Sequence, residues 1–318
     1  MVKLGIDLGG TNIKAGVVDE NKNIIGKASV KTDLPRPAEE IADSIREVAL
    51  LALGEARKTL DDVSSVGIGT PGAVNAEGVV EFSSNLGFLN TPLRELVEER
   101  IGKPTFIEND ANCAALGEQT AGSGNGVPDF VAVTLGTGVG GGVILGGKLL
   151  NGINGAAGEI GHMVLEMNGI PCPCGRKGCF EQYASASALV RQTQAAMEQD
   201  RDKTSLLWEL AEGDPENVNG FVIFNAARAG DERALQVVEQ YTTYLAEGIA
   251  NLVNIFQPDI LCVGGGISKE GEFLMAPVRR KVEELRYTKH SNKQTAICAA
   301  TLGNDAGIIG AALLSEVK

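Results

Sequence analysis

The length, composition and charge of the chain set the first limits on its function. The chain has 318 residues, and single hydrophobic cores stop growing at about 250 to 300 residues, so two lobes are expected. Apolar residues make up 43% and charged residues 22%, as in an ordinary globular protein. The net charge of −13 argues against a nucleic acid partner, which requires a basic surface. The 41 glycines indicate that the backbone, rather than a side chain, is important at many positions.

No targeting or membrane signal stands out in the sequence. Residues 1–10 lack a basic leader with a long apolar stretch, and no run of 18 apolar residues occurs. We therefore expect a cytoplasmic protein with no membrane partner. Six cysteines in such a protein indicate metal binding or free thiols rather than disulfides.

The first part of the chain alternates predicted strands and helices. A hairpin is expected from residues 3–8 and 13–18 around a Gly9-Gly10-Thr11 turn, and helical periodicity covers residues 38–56. A short strand is predicted at residues 66–69. Thr91-Pro92 predicts a capped helix start, with the proline at the first helical position. This alternation predicts the α/β class.

Two further glycine turns follow predicted strands. Residues 130–135 lead into Gly136-Thr137-Gly138, and residues 260–263 lead into Gly264-Gly265-Gly266. A long helix at residues 233–256 precedes the last turn, and a capped terminal helix is predicted at residues 306–314. Three glycine turns after strands suggest three contacts to one extended ligand.

The glycine-rich segment after residue 135 does not fit two common nucleotide motifs. Gly136, Gly138 and Gly141 match the dinucleotide spacing, but β-branched residues follow where a helix is required. The P-loop pattern fails at Leu149, where a serine or threonine would hold magnesium. The hairpin is either a cradle of N–H groups for an anion or simply a tight turn.

The strongest local pattern is a set of potential metal ligands. His162, Cys172, Cys174 and Cys179 lie within 18 residues, interleaved with prolines and glycines. Three thiolates and one imidazole complete a tetrahedral zinc site with no open position, which predicts a structural zinc ion. The alternative is buried cysteines beside a surface histidine.

Several acidic residues are candidates for chemistry on a hydroxyl group. Asn109-Asp110 lies between a predicted strand and a predicted helix, where Asp110 could accept a proton or the pair could simply cap the helix. Glu159 and His162 are one helical turn apart, and Glu181 follows the last cysteine closely. Each glutamate could equally be a solvated surface residue.

Seven motifs follow one another along nearly the whole chain. They are Asp7-Leu8-Gly9-Gly10-Thr11, Gly69-Thr70-Pro71-Gly72, Glu108-Asn109-Asp110-Ala111-Asn112, Leu135-Gly136-Thr137-Gly138-Val139-Gly140, Glu159-Ile160-Gly161-His162, the segment from Cys172 to Glu181, and Gly264-Gly265-Gly266. Taken together and in this order, they resemble the ROK family of sugar kinases and repressors.

The resemblance implies an actin-like (ribonuclease H-like) two-lobed sugar kinase fold with the active site in the cleft between the lobes. The small lobe is expected to comprise residues 1–112, joined by a terminal helix at about 304–318. The large lobe is expected to comprise residues 113–303, with the zinc-binding loop at 162–181.

The resemblance also implies a role for each matched residue. Asp110 corresponds to the catalytic base. The residues implied in sugar binding are Gly72, Asn109, Asp110, Glu159, His162 and Glu181, with His162 also a zinc ligand. The residues implied in binding Mg²⁺ and ATP are Asp7, Gly9, Gly10, Thr11, Gly136, Thr137, Gly138, Gly265 and Gly266.

The expected reaction is ATP-dependent phosphorylation of a hexose at its 6-hydroxyl, with glucose as the first candidate substrate. N-acetylglucosamine, mannose, N-acetylmannosamine and fructose stay open as alternatives. A sugar-responsive transcriptional regulator is a further alternative, disfavoured because the kinase-like motif begins at residue 4 and the charge is acidic. The resemblance also implies a homodimer.

Overall fold

The computed structural model describes residues 1–318 and has three β-sheets and ten α-helices. The strands are β1 Val2–Leu8, β2 Asn12–Val18, β3 Ile24–Lys31, β4 Val63–Thr70, β5 Ala73–Val74, β6 Val80–Ser83, β7 Phe88–Thr91, β8 Thr105–Asn109, β9 Phe130–Leu135, β10 Val139–Leu145, β11 Lys148–Leu149, β12 Ile260–Gly265 and β13 Ala296–Ala299. The helices are α1 Ala38–Glu55, α2 Leu93–Ile101, α3 Asp110–Ala121, α4 Glu181–Ala184, α5 Ala186–Glu198, α6 Leu206–Leu210, α7 Gly220–Arg228, α8 Glu232–Phe256, α9 Glu272–Leu285 and α10 Ala306–Ala312.

The chain divides into two compact units. The first comprises residues 1–132, 141–158 and 300–318, and the second comprises residues 133–140 and 159–299. The division therefore passes through β9 and β10, whose sheet has the order β11-β10-β9-β12-β13.

The first unit is built on a five-stranded sheet of order β3-β2-β1-β4-β8. Strands β1, β2 and β3 pair antiparallel, while β4 pairs parallel with both β1 and β8. The apolar face of α1, spaced as the helical period predicts, is fully buried in the core of this unit. The parallel arrangement brings the carboxyl ends of β1, β4 and β8 to one edge of the sheet, where open α/β sheets bind ligands.

The second unit is organised around α8, the longest helix of the protein. Asp231 caps its first turn, because its side chain accepts a hydrogen bond from the Ala234 N–H group. Phe180 is completely buried against α8 at Gly248, where a Cβ atom would lie 2.2 Å from the phenyl ring. The backbone therefore comes very close to the ring, and this contact fixes the residues on either side of Phe180.

Two predicted helix starts differ from the structure. Thr91 is the last residue of β7 and pairs with Val80, so it does not cap α2, and Pro92 lies just before the first helical residue. The third sheet, of order β5-β6-β7, takes Thr91 into its ladder, which local sequence does not reveal. Helix α10 has no side-chain cap, because a 3₁₀ turn over Gly303–Asp305 leads directly into it.

None of the helices combines the length and apolar character needed to span a membrane.

Candidate active site

The junction between β8 and α3 presents the predicted catalytic base. Asn109 is the N-cap of α3, and its Oδ1 accepts hydrogen bonds from the N–H groups of Ala111 (2.9 Å) and Asn112 (3.3 Å). Asp110 is the first helical residue and is exposed. Its Oδ1 accepts a hydrogen bond of 2.9 Å from the Ala111 N–H group. An exposed carboxylate at this position can accept a proton from a bound hydroxyl group.

Asn109 also ties this junction to the turn that contains Gly72. Its Nδ2 donates a hydrogen bond of 3.2 Å to the carbonyl oxygen of Gly72. Three of the predicted sugar-binding residues, Gly72, Asn109 and Asp110, therefore lie together in the first unit. Asn109 uses one end of its amide to cap the helix and the other to hold the turn.

Two charged residues that were not predicted lie beside predicted site residues: Glu108 beside Asn109, and Lys14 beside Asp7. Glu108 is only 1% exposed and accepts a hydrogen bond from the Asn109 N–H group (2.8 Å). Burial, followed by the charges of Glu108 and Asp110, raises the pKa of the Cys113 thiol well above its usual value. Lys14 lies directly opposite Asp7 in the β1–β2 ladder, and its Nζ is 2.9 Å from Asp7 Oδ2.

Sequence signals existed for both residues. Glu108 is a carboxylate that directly follows the apolar residues Phe106 and Ile107 of a predicted strand, where burial demands partners. Lys14 faces Asp7 because residues that pair across an antiparallel ladder point to the same face of the sheet.

The turn between β1 and β2 contains the first predicted phosphate loop. The Gly9 N–H group bonds to the Asn12 carbonyl oxygen at 3.0 Å, while Gly10 and Thr11 are exposed. Asp7 precedes this turn and is partly exposed, so its carboxylate remains accessible to a hydrated cation. The chemistry of this donor set, one carboxylate beside a glycine turn, fits a magnesium ion that keeps most of its waters.

The second predicted phosphate loop, Gly136 to Gly138, lies against Glu181. The Val139 N–H group donates a hydrogen bond of 3.2 Å to Glu181 Oε2. A Cβ atom on Gly138 would lie 2.0 Å from the same oxygen, so the loop approaches the carboxylate as only glycine allows. Strand β10 follows the loop, as predicted, so no helix begins where the dinucleotide motif would require one. The carboxylate of Glu181, a predicted sugar-binding residue, thus lies directly against a predicted phosphate loop.

The third glycine turn ends β12. Gly265 has a φ of +92°, and a Cβ atom there would lie 2.2 Å from the Leu135 carbonyl oxygen. Any other residue would clash with the end of β9, which leads into the Gly136 loop. Gly265 and Gly266 are both exposed, so their backbone is accessible to a ligand.

Glu159 and His162 flank a 3₁₀ turn over Ile160–His162. Glu159 Oε2 lies 3.9 Å from His162 Nε2, so the turn points both side chains the same way, as predicted. The other ring nitrogen, Nδ1, lies 3.7 Å from the Cys172 sulfur. The imidazole therefore faces Glu159 with one nitrogen and the cysteine cluster with the other.

The four predicted metal ligands form one cluster. The ligand atoms of His162, Cys172, Cys174 and Cys179 all lie within 4.8 Å of one another. The Cys174 and Cys179 sulfurs are 3.6 Å apart, close to the edge of about 3.8 Å that a zinc tetrahedron with bonds of about 2.3 Å would have. Burial raises the pKa of Cys179 to about 12, so a cation that takes this ligand must displace its proton. The donor set and its spacing fit zinc.

Comparison with known proteins places the chain in a family. The model of the ROK family matches residues 3–318. This chain belongs to the ROK family. It is 41% identical over 319 residues to a glucokinase of Thermotoga maritima, covering 99% of this chain and 97% of that protein. It is 39% identical over 314 residues to a glucokinase of Streptomyces coelicolor, covering 98% of this chain and 97% of that one.

A solved ROK structure extends the likeness to three dimensions. A ROK family glucokinase from Streptomyces griseus, in complex with glucose and AMPPNP, superposes with a TM-score of 0.83 at 38% identity, and the alignment covers 99% of each chain. The predicted family and the predicted α/β, actin-like sugar kinase fold are thereby confirmed.

Proposed function

We propose that this ROK protein is an ATP-dependent hexokinase that phosphorylates glucose at its 6-hydroxyl. The observation that carries the proposal is the β8–α3 junction. There Asp110 is exposed at a helix N-terminus, and the Asn109 side chain is hydrogen bonded both to the first turn of α3 and to the carbonyl oxygen of Gly72. It occurs in a chain 38% identical, over its whole length, to a glucokinase that holds glucose and AMPPNP.

In this proposal Asp110 is the general base. Its carboxylate accepts the proton of the 6-hydroxyl as that oxygen bonds to the γ-phosphorus of ATP, while the bond from this phosphorus to the bridging oxygen breaks and ADP leaves. The hydrogen bond from the Ala111 N–H group helps to orient this carboxylate. Phosphoryl transfer depends mainly on alignment and charge neutralisation, so one well-placed base suffices.

The remaining sugar contacts are assigned to Gly72, Asn109, Glu159, His162 and Glu181. Carboxylates and an imidazole are suited to a polyol, because each can accept hydrogen bonds from hydroxyl groups. The cysteine cluster, together with His162, would hold a structural zinc ion that fixes the segment between Glu159 and Glu181. A zinc ion with four protein ligands has no open position for catalysis.

The phosphates of ATP are assigned to the two glycine loops, Gly9 to Thr11 and Gly136 to Gly138. The N–H groups of Gly9 and Gly136 bond within their own turns, so the other N–H groups of the two loops would bind the phosphate oxygens. This mode of binding needs no net positive surface, which suits an acidic protein. Asp7 would position Mg²⁺, which neutralises charge on the phosphates, and Gly265 and Gly266 would contact the adenosine. Lys14, beside Asp7, adds a cation next to the first loop.

The lobe boundaries and the assembly state are part of the same proposal. Residues 1–112 with the helix at about 304–318 would form the small lobe, and residues 113–303 the large one. The grouping of residues 300–318 with the first compact unit supports the place of the terminal helix. We also propose a homodimer, and sedimentation that finds only monomer would contradict it. The cytoplasmic location stays a prediction.

The deciding experiment is an assay of ADP release with Mg-ATP and a panel of hexoses. We expect the highest kcat/KM with glucose. A higher value for N-acetylglucosamine, mannose, N-acetylmannosamine or fructose would keep the kinase and change the substrate. No turnover with any of these sugars by the zinc-loaded protein would refute the kinase assignment.

A further inference from the structure

Glu108 is a buried carboxylate directly before the proposed catalytic residue pair. It ends the buried part of β8, is 1% exposed, and makes four polar contacts within the first unit. Its Oε1 accepts hydrogen bonds from the Asn109 N–H group at 2.8 Å and from Asn112 Nδ2 at 3.1 Å. Its Oε2 accepts from Asn151 Nδ2 at 2.8 Å and lies 2.9 Å from Lys318 Nζ.

The arrangement of these partners fits a charged acceptor. All four groups are donors, and an ionised carboxylate offers only acceptor positions. The amides of Asn112 and Asn151 both turn their nitrogen toward Glu108, although this leaves their Oδ1 atoms buried without a partner. An unpartnered buried oxygen is costly, so the carboxylate sets the orientation of both amides.

Lys318 supplies the compensating positive charge. Its Nζ contacts Glu108 and also donates a hydrogen bond of 2.6 Å to the Ile107 carbonyl oxygen. A buried carboxylate without a cation would be strongly destabilised, whereas a pair with additional hydrogen bonds is tolerated. The long side chain therefore joins residue 318 to the strand that carries the proposed catalytic residues.

Oε1 of Glu108 holds the chain on both sides of Asp110. Asn109 precedes Asp110 and Asn112 follows it by two residues, so a single oxygen anchors both ends of the first turn of α3. Glu108 itself has no surface through which it could reach a sugar, so it is not a second base. Its effect must reach the substrate through Asn109 and Asp110.

We infer that Glu108 is a positioning residue for the base Asp110, and that Lys318 acts through it as its counter-charge. The inference rests on the proposed kinase function. A small displacement of a catalytic group can lower the rate by a large factor, because the transfer requires alignment of the reacting atoms. Loss of the carboxylate should therefore lower kcat more than it lowers sugar affinity.

The test compares Glu108→Gln with wild type in the full chain. Glutamine keeps the shape of the side chain but turns an NH₂ group toward donors. We expect kcat to fall about 10- to 100-fold, while KM for glucose changes by less than about threefold. An unchanged kcat in an otherwise active enzyme would overturn the inference.

Glu118 provides a matched control on the same helix. It is 2% exposed and accepts hydrogen bonds from the N–H groups of Ser123, Thr301 and Leu302, at the end of α3 remote from Asp110 in sequence. Glu118→Gln removes a comparable buried charge. We expect it to lower the melting temperature without the fall in kcat. Equal losses of kcat in both variants would mean that Glu108 acts only on stability.

Variants of Lys318 keep the inference testable if Glu108→Gln does not fold. Lys318→Met should lower kcat about tenfold, and Lys318→Arg, which keeps the charge, should restore it to within about threefold of wild type. Adding Lys318→Met to Glu108→Gln should cost little more than Glu108→Gln alone, because coupled partners are not additive. Full additivity would overturn the role of Lys318.

The outcomes also separate this inference from the proposed function. If wild type phosphorylates no hexose, the kinase assignment fails before any variant is compared. If wild type is active and Glu108→Gln equals it in kcat, the kinase assignment stands and the positioning role fails.

Discussion

The two groups of proposed sugar ligands are held in place by different means. Asn109 and Asp110 lie at the end of a buried strand and the start of a helix, and the buried Glu108 beside them binds the Asn109 N–H group, Asn151 and Lys318. Glu159, His162 and Glu181 lie in or beside a segment with little regular structure, from Glu159 to Phe180. Short turns, isolated bridges and the cysteine cluster hold that segment.

This difference predicts which property of the protein is lost when each region is disrupted. The base region directly follows Ile107 and Glu108, and Ile107 is buried in the hydrophobic core of the first unit. The second region has few buried apolar side chains, among them Ile160 and Phe180, so a metal ion can stand in for a larger core. Substitutions in the first region should lower kcat. Removal of metal from the second region should weaken sugar binding and lower the stability of the protein.

The largest expected effect comes from the base itself. Asp110→Asn should lower kcat about 10³-fold, because the amide cannot accept the hydroxyl proton. Glucose binding, measured by calorimetry, should stay within about threefold of wild type, because asparagine is nearly isosteric. Retained turnover would remove the base assignment and with it the contrast between the two regions.

Metal removal should give the next largest effect. Chelation, or Cys179→Ser, should weaken glucose binding about 10- to 100-fold and lower the melting temperature by roughly 5 to 10 °C. Metal analysis should find one zinc ion per chain in wild type. The control Cys298→Ser changes a cysteine outside the cluster and should leave the zinc content unchanged. A metal-free protein with normal glucose binding would show that packing alone holds this segment.

A smaller effect is expected where Glu181 meets the Gly136 loop. Gly138→Ala places a methyl carbon 2.0 Å from the present position of Glu181 Oε2, so the carboxylate must move away from Val139. KM should rise about tenfold for both ATP and glucose, because the loop and the carboxylate shift together. Gly136→Ala is the control for folding, since no atom lies within 4 Å of the added carbon, and its melting temperature should match wild type. A rise in KM for ATP alone would show that Glu181 does not contact the sugar.

The smallest effect should come from a hydrogen bond behind the second region. Tyr241 is buried, and its hydroxyl group donates a hydrogen bond of 2.8 Å to the Ala184 carbonyl oxygen at the end of α4. Tyr241→Phe should cost about 1 kcal/mol of stability and leave kcat unchanged, because the ring still fills its space. Denaturant unfolding measures the loss. A large fall in glucose affinity would mean that α4, rather than the metal, positions Glu181.

The sequence alone determined the features that depend on neighbouring residues. The helix predicted at residues 233–256 is observed over Glu232–Phe256, because a long apolar stripe at helical spacing can be buried in only one way. The four metal ligands come together because three of them lie within eight residues and the turns between them are short. The order of the motifs identified the family without any structure.

Only the tertiary structure decided which distant residues meet. Nothing in the local sequence pairs Lys318 with Glu108, places Glu181 beneath the Gly138 loop, or takes Thr91 into a strand. Propensity and periodicity act over one or two turns of chain, whereas these contacts depend on how the sheets and helices pack. A buried carboxylate accepts whichever donors the fold brings to it, and that choice is made only when the core forms.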